Sequence, residues 1–155
     1  MNTDEIIRHT IKLEGGYNDV AGDKGGETKY GISKRSYPTV DIPNLTEEQA
    51  IDIYRRDFIE KVNLHYLTNE KVLAKVFDIG VNMGTSRGIR FLQEIVGAKV
   101  DGILGPATAN LANAMNGDDL VQALRKKQVL HYAAIIKNDP TQVKFLIGWI
   151  NRAFA

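Results

Sequence analysis

Glu14 stands where an apolar helical pattern meets a run of glycines. Ile6, Ile7, Thr10, Ile11 and Glu14 recur at i, i+3 and i+4, which puts the glutamate on the apolar face of a helix predicted over residues 3 to 14. A carboxylate there is partly desolvated, and it also lies in the last turn, at the negative end of the helix dipole. Both effects disfavour its charged form and raise its pKa. A carboxyl that keeps its proton near neutral pH is what a general acid requires. Periodicity alone leaves a plainer reading open, a surface glutamate at a frayed helix end.

The segment from Gly15 to Gly31 contains six of the chain's 14 glycines and predicts tight turns or a short irregular hairpin. It supplies Asp19, Asp23 and Glu27 within reach of Glu14. An acid on an apolar helix face and a second carboxylate on a solvated loop would have pKa values split in the sense that glycosidic cleavage uses, one carboxyl protonated and one ionised. Asp beside Gly is also ordinary turn chemistry, and for Asp19 and Asp23 that reading stays open on the residues alone. Other chemistries fit worse. Gly22-Asp23-Lys24-Gly25 lacks the Gly-Lys-Ser/Thr of a phosphate loop, and the four-residue step from Asp19 to Asp23 is not the alternate spacing of a calcium loop. His9, His65 and His131 are scattered, so no catalytic zinc and no other cofactor is expected.

These residues need a scaffold, and the rest of the chain reads as helix. Asn2 with Glu5 and Thr46 with Gln49 are capping boxes. Ala50, Tyr54, Phe58 and Val62 follow the second at helical intervals. Val72, Leu73, Val76, Phe77 and Gly80 mark a third helix ending near Gly84. Thr85 or Ser86 is expected to cap a fourth, with Ile89, Leu92, Ile95 and Val96 on its apolar face. Pro106 suits a first helical position. A long helix is predicted from about Asp119 to Lys137, and Asp139-Pro140 opens a last one. The class is all-α, with one small Gly-rich hairpin or loop.

The 155 residues carry a net charge of +1, with 43% hydrophobic and 25% charged residues and no cysteine. This balance suits a soluble, monomeric globular protein with no nucleic-acid partner, no stable membrane insertion and no disulfide or thiolate site. No secretory signal opens the chain, so the expectation is synthesis in the cytoplasm and release before any work outside it.

The run Glu14-Gly15-Gly16-Tyr17-Asn18-Asp19, followed by Asp23-Lys24-Gly25-Gly26-Glu27-Thr28-Lys29-Tyr30-Gly31-Ile32, closely resembles the N-acetylmuramidases of glycoside hydrolase family 108, found as phage endolysins and as proteins once labelled secretion activators. The resemblance implies a lysozyme-like helical fold, peptidoglycan as substrate and Glu14 as the catalytic glutamate. The family is similar to phage-type lysozymes, whose trio is Glu, eight residues, Asp, five residues, Thr. Here Glu14 and Asp23 keep that spacing, whereas four residues separate Asp23 from Thr28. Where the trio applies, Asp23 and Thr28 would position a water for inverting attack, which needs carboxyls about 6.5–9.5 Å apart.

Downstream, Phe77-Asp78-Ile79-Gly80-Val81-Asn82-Met83-Gly84 looks like the family's second block. Asn82 is a candidate for holding a sugar N-acetyl group, or else an Asn satisfying its own helix end. Tyr17 and Tyr30, with Tyr37, offer faces on which sugars stack, although packing is the commoner fate of tyrosine. Asp101-Gly102-Ile103-Leu104-Gly105-Pro106-Ala107-Thr108 is similar to the turn of small peptidoglycan-binding domains, and Gly-Pro before a helix is good capping chemistry for any ligand. Arg125-Lys126-Lys127 reads as a solvated helix face. The expected organisation is a catalytic region over residues 1–96 and a helical, peptidoglycan-binding-like region over 97–155, packed together. The resemblance implies cleavage of the β-1,4 bond after N-acetylmuramic acid. The alternatives are a lytic transglycosylase working with Glu14 alone and a non-catalytic protein that binds the wall or assists secretion.

Overall fold

A computed structural model describes residues 2–19 and 26–155. The chain forms two compact units, Met1–Lys61 and Val62–Ala155.

In the first unit, α1 (Thr3–Glu14) starts as its capping box dictates. The Asn2 side chain accepts from the Glu5 N–H at 2.9 Å, and the Glu5 carboxylate takes the Asn2 N–H at 2.8 Å, satisfying two donors that the helix leaves free. Ile6, Ile7, Thr10 and Ile11 form the buried face. Around Gly31, where the Gly-rich segment ends, a small antiparallel ladder forms. β1 (Thr28–Lys29) pairs with β2 (Ile32–Ser33), Thr28 opposite Ser33 and Lys29 opposite Ile32, and Asn18 bridges to Thr28. Ile32 anchors this hairpin in the core.

Thr46 and Gln49 box the start of α2 (Glu47–Tyr54). The series Ala50, Tyr54, Phe58, Val62 predicts one continuous α-helix, but from Arg55 to Glu60 the backbone is π-helical. A strict four-residue repeat drifts about 40° per step around a helix of 3.6 residues per turn. The wider turn lets Tyr54 and Ile59, five apart, both be buried, with the Phe58 ring edge-on to Tyr54 at 5.2 Å. Arg8 reaches Glu47 and Glu48 at 2.7 and 2.6 Å, and Arg55 reaches Asp4 and Asp52, strapping α1 to α2. Partly exposed pairs of this kind contribute under about 1 kcal/mol each, so apolar burial holds the unit.

The second unit runs through a 3-10 turn (Leu64–Tyr66), α3 (Glu70–Met83), α4 (Thr85–Val96), α5 (Pro106–Ala114), α6 (Gly117–Asn138), a second 3-10 segment (Pro140–Phe145) and α7 (Leu146–Ala153). α3 packs against α4 and α6 around Phe77, Ile79, Ile89, Leu92, Leu120 and Leu124. Gly84 alone joins α3 to α4, serving as C-cap of one and N-cap of the other. The cap expected of Thr85 or Ser86 therefore does not form. The one-residue link puts the cap position on a residue without a side chain, and Ser86 Oγ instead accepts from Arg90 Nε at 3.1 Å. Pro106 occupies the first turn of α5. The last predicted helix is divided, with Asp139 capping the 3-10 segment through the Thr141 N–H and α7 starting only at Leu146. Arg152 pairs with Asp78 at 2.9 Å and Lys75 Nζ donates to the Ala153 carbonyl at 2.6 Å, fastening α7 to α3. The all-α class with a small hairpin is what forms. Among the described residues no helix is long and apolar enough to cross a membrane.

Candidate active site

Glu14 is the last residue of α1, which ends as the Gly15 N–H closes on the Ile11 carbonyl at 3.1 Å. Its side chain is half-buried, and its stem lies against the turn joining β1 to β2. A Cβ on Gly31 would stand 2.9 Å from Glu14 Cγ and 3.1 Å from Glu14 Cβ, and would overlap the Tyr54 hydroxyl. Gly31 also has φ of +80°, in the left-handed region, so both the conformation and the space call for glycine. Its neighbour Tyr30 has φ of +54°, which is uncommon for a bulky residue. The Tyr30 carbonyl accepts from Tyr54 Oη at 2.7 Å, and Tyr54 is only 1% exposed. Glu14 and Tyr30 are thus brought to one place, together with a tyrosine whose sequence signal was only that of a helix face.

A second cluster lies on the loop itself. Tyr17 is half exposed and its Oη donates to Glu27 Oε2 at 2.8 Å. That bond to a carboxylate, before any other cause, pushes the phenol up to about 12, so Tyr17 stays a neutral donor at ordinary pH. Thr28 exchanges two main-chain hydrogen bonds of 2.7 Å with Asn18. Its Oγ1 lies 3.5 Å from the Asn18 carbonyl, too far to commit the hydroxyl. Asp23 lies outside the described residues. Tyr37 spends its hydroxyl on Asp57 Oδ2 at 2.7 Å, and burial first and this bond second push it up to about 12. Asp57 is held down to about 2, chiefly by Arg56 gripping both carboxylate oxygens at 2.8 and 2.9 Å, with Tyr37 adding to it.

Asn82 belongs to the second unit. Gln128 Nε2 donates to Tyr132 Oη at 3.1 Å, and Tyr132 Oη donates to Asn82 Oδ1 at 2.7 Å. Trp149 stacks on Tyr132 with centroids 5.0 Å apart. The chain of donors fixes the exposed Asn82 amide by its oxygen and leaves the NH2 end to donate. Arg125 covers the Phe154 ring and Lys127 pairs with Glu94 at 2.5 Å, so the basic run is partly packing rather than a wholly solvated face.

The turn from Asp101 to Thr108 is organised by Gln93 of α4, 1% exposed. Its Nε2 lies within 3.2 Å of Asp101 Oδ1, the Ile103 carbonyl and Thr108 Oγ1, and its Oε1 accepts from the Asp101 and Gly102 N–H groups. The types at Asp101 and Thr108 thus have a structural cause in Gln93. The available signal was a polar residue four after Ile89, on the apolar face of α4.

Residues 7–84 match the family described as Glycosyl hydrolase 108. The chain belongs to glycosyl hydrolase family 108. The match spans Glu14, the Gly-rich loop and Asn82, and residues 87–154 of this family 108 enzyme match a second family, described as Predicted Peptidoglycan domain. Among solved structures it is similar to that of Brucella abortus SagA, with 28% identity over 97% of this chain and 88% of that one and a TM-score of 0.80. No curated protein gives a significant match. The family 108 enzyme is a glycoside hydrolase acting on peptidoglycan, with the all-α, lysozyme-like fold its sequence predicts.

Proposed function

We propose that the enzyme is an endo-acting N-acetylmuramidase that hydrolyses the β-1,4 bond between N-acetylmuramic acid and N-acetylglucosamine, with Glu14 as general acid. The observation that carries this reading is the seating of Glu14: a carboxyl closing a helix, its stem packed on the bare backbone of Gly31, within the family 108 match. A side chain held this way meets a substrate with little left to order. In the reaction Glu14 passes its proton to the glycosidic oxygen as the bond to the anomeric carbon breaks. A water adds to that carbon and gives its proton to Asp23, with Thr28 helping to hold the water.

Tyr17 and Tyr30 are assigned to sugar contacts through the faces of their rings, and the oriented NH2 of Asn82 to an acetamido carbonyl. The peptidoglycan match at 87–154 supports a holding role for residues 97–155, together with the α4 that organises their first turn through Gln93.

Mass spectrometry of digested peptidoglycan tests the bond and the step together. Hydrolysis after N-acetylmuramic acid leaves reducing N-acetylmuramic acid ends, one water heavier than the intact linkage. Reducing N-acetylglucosamine ends would contradict the bond assignment, and 1,6-anhydro ends would make the enzyme a lytic transglycosylase that needs Glu14 without Asp23.

A further inference from the structure

We propose that Tyr54 is a positioning residue for Glu14, acting through the Tyr30–Gly31 turn. The inference rests on the reading of Glu14 as the catalytic acid. Tyr54 ends α2 where the backbone widens into the π-helical segment, and it is 1% exposed with Phe58 edge-on at 5.2 Å. Its ring has little freedom to turn. Its hydroxyl reaches the Tyr30 carbonyl at 2.7 Å, across 24 residues of sequence. That carbonyl belongs to a residue in the left-handed region, φ +54°, a conformation that surrounding contacts must hold in place. The next residue, Gly31, is where the Tyr54 hydroxyl and the Glu14 stem converge: one Cβ there would overlap the hydroxyl and stand 2.9 Å from Glu14 Cγ.

The turn is therefore clamped between a rigid phenol and the methylenes of Glu14. Hydrogen bonding by Tyr54 keeps the turn in its left-handed form, and the turn in that form is the wall against which Glu14 rests. Without the hydroxyl, Tyr30 can leave its left-handed conformation, the wall recedes and Glu14 samples orientations that do not reach the glycosidic oxygen. Misplacement on the scale of 1 Å costs about a hundredfold in rate where proton transfer is geometry-limited.

Tyr54→Phe keeps the ring and its packing and removes only the hydroxyl. On glycan strands of defined length it is expected to lower kcat at least tenfold with KM within twofold of the wild type. In a Gly31→Ala background, where the added Cβ already pushes the turn away from the Glu14 stem, the same change is expected to alter kcat less than twofold. A wild-type kcat in Tyr54→Phe, or equal fractional losses in both backgrounds, would overturn the proposal. Gly31→Ala, assayed well below its melting transition, reaches the same stem from the other side and is expected to lose kcat likewise; an unchanged kcat there counts against the clamp even if Tyr54→Phe does not fold. Glu14→Gln separates the two readings. If it stays active, the assignment of the acid fails. If it is inactive while Tyr54→Phe is not impaired, only the positioning role fails.

Discussion

Gly31 presents bare backbone to Glu14, and a Cβ at that position would come to 2.9 Å from Glu14 Cγ. The helix end and the hairpin turn are in this way a single packed unit.

The first prediction follows from that contact. Gly31→Ala meets both a positive φ and an occupied space, and is expected to lose about 2–4 kcal/mol of stability. Urea denaturation measures it. A loss below 0.5 kcal/mol, about the level of an exposed surface change, would mean that the turn is not packed as described.

A second concerns the other unit. Gln93→Leu fits the space but leaves the Asp101 and Gly102 N–H groups and the Thr108 hydroxyl without their partner. Stranding buried polar groups costs about 1–3 kcal/mol each where water does not reach them, so a total loss of roughly 2–4 kcal/mol is expected. Equilibrium unfolding of the variant against the wild type checks this.

Much of the scaffold was legible because its signals are local. Asn2 with Glu5 and Thr46 with Gln49 settle within three residues where their helices begin, and the glycines from Gly15 to Gly31 announce an interruption wherever they occur. What was not legible depends on distant partners or on competition between neighbours. The Tyr54 hydroxyl finds its acceptor 24 residues away, and Gln93 looks like a stray polar residue until the Asp101 turn folds over it. Gly84 caps two helices at once, a result no single-helix rule for Thr85 or Ser86 contains. At the candidate site, the place of Glu14 at the end of its helix was legible from the apolar pattern before it and the glycines after it. Its seat on Gly31 was not, because it is set by the geometry of a two-residue turn.

A pH dependence follows from Lys75. Its Nζ is buried beside the Ala153 carbonyl, and desolvation pushes its pKa down to about 8 from the usual 10.5. Below pH 8 the folded and unfolded chains both carry the charge, the folded one at a cost. Between 8 and 10.5 the unfolded chain binds more protons, so stability from this group rises with pH. Relative to Lys75→Met, the wild type is expected to gain on the order of 2 kcal/mol between pH 7 and 10.5. Urea midpoints of both proteins across that range measure the difference, and a gap independent of pH would contradict it.

Tyr17 separates a stacking role from a structural one. Its hydroxyl bond to Glu27 is on the surface, so Tyr17→Phe should change stability by less than about 0.5 kcal/mol and leave kcat intact. Tyr17→Ala removes the ring and is expected to raise KM roughly three- to tenfold, the equivalent of about 1 kcal/mol of aromatic contact. Steady-state kinetics on soluble glycan strands reads both, and an unchanged KM in Tyr17→Ala would remove Tyr17 from the substrate site.

The most direct test of the central claim is the rate at which purified Glu14→Gln enzyme releases reducing ends from peptidoglycan. Gln keeps the stem on Gly31 and the fold intact but has no proton of suitable acidity to give. The expected result is a folded protein with a wild-type circular dichroism spectrum and a rate lower by about two to four orders of magnitude, the range that positioned acid catalysis supplies. A wild-type rate from the folded variant would contradict the assignment of Glu14 as the acid.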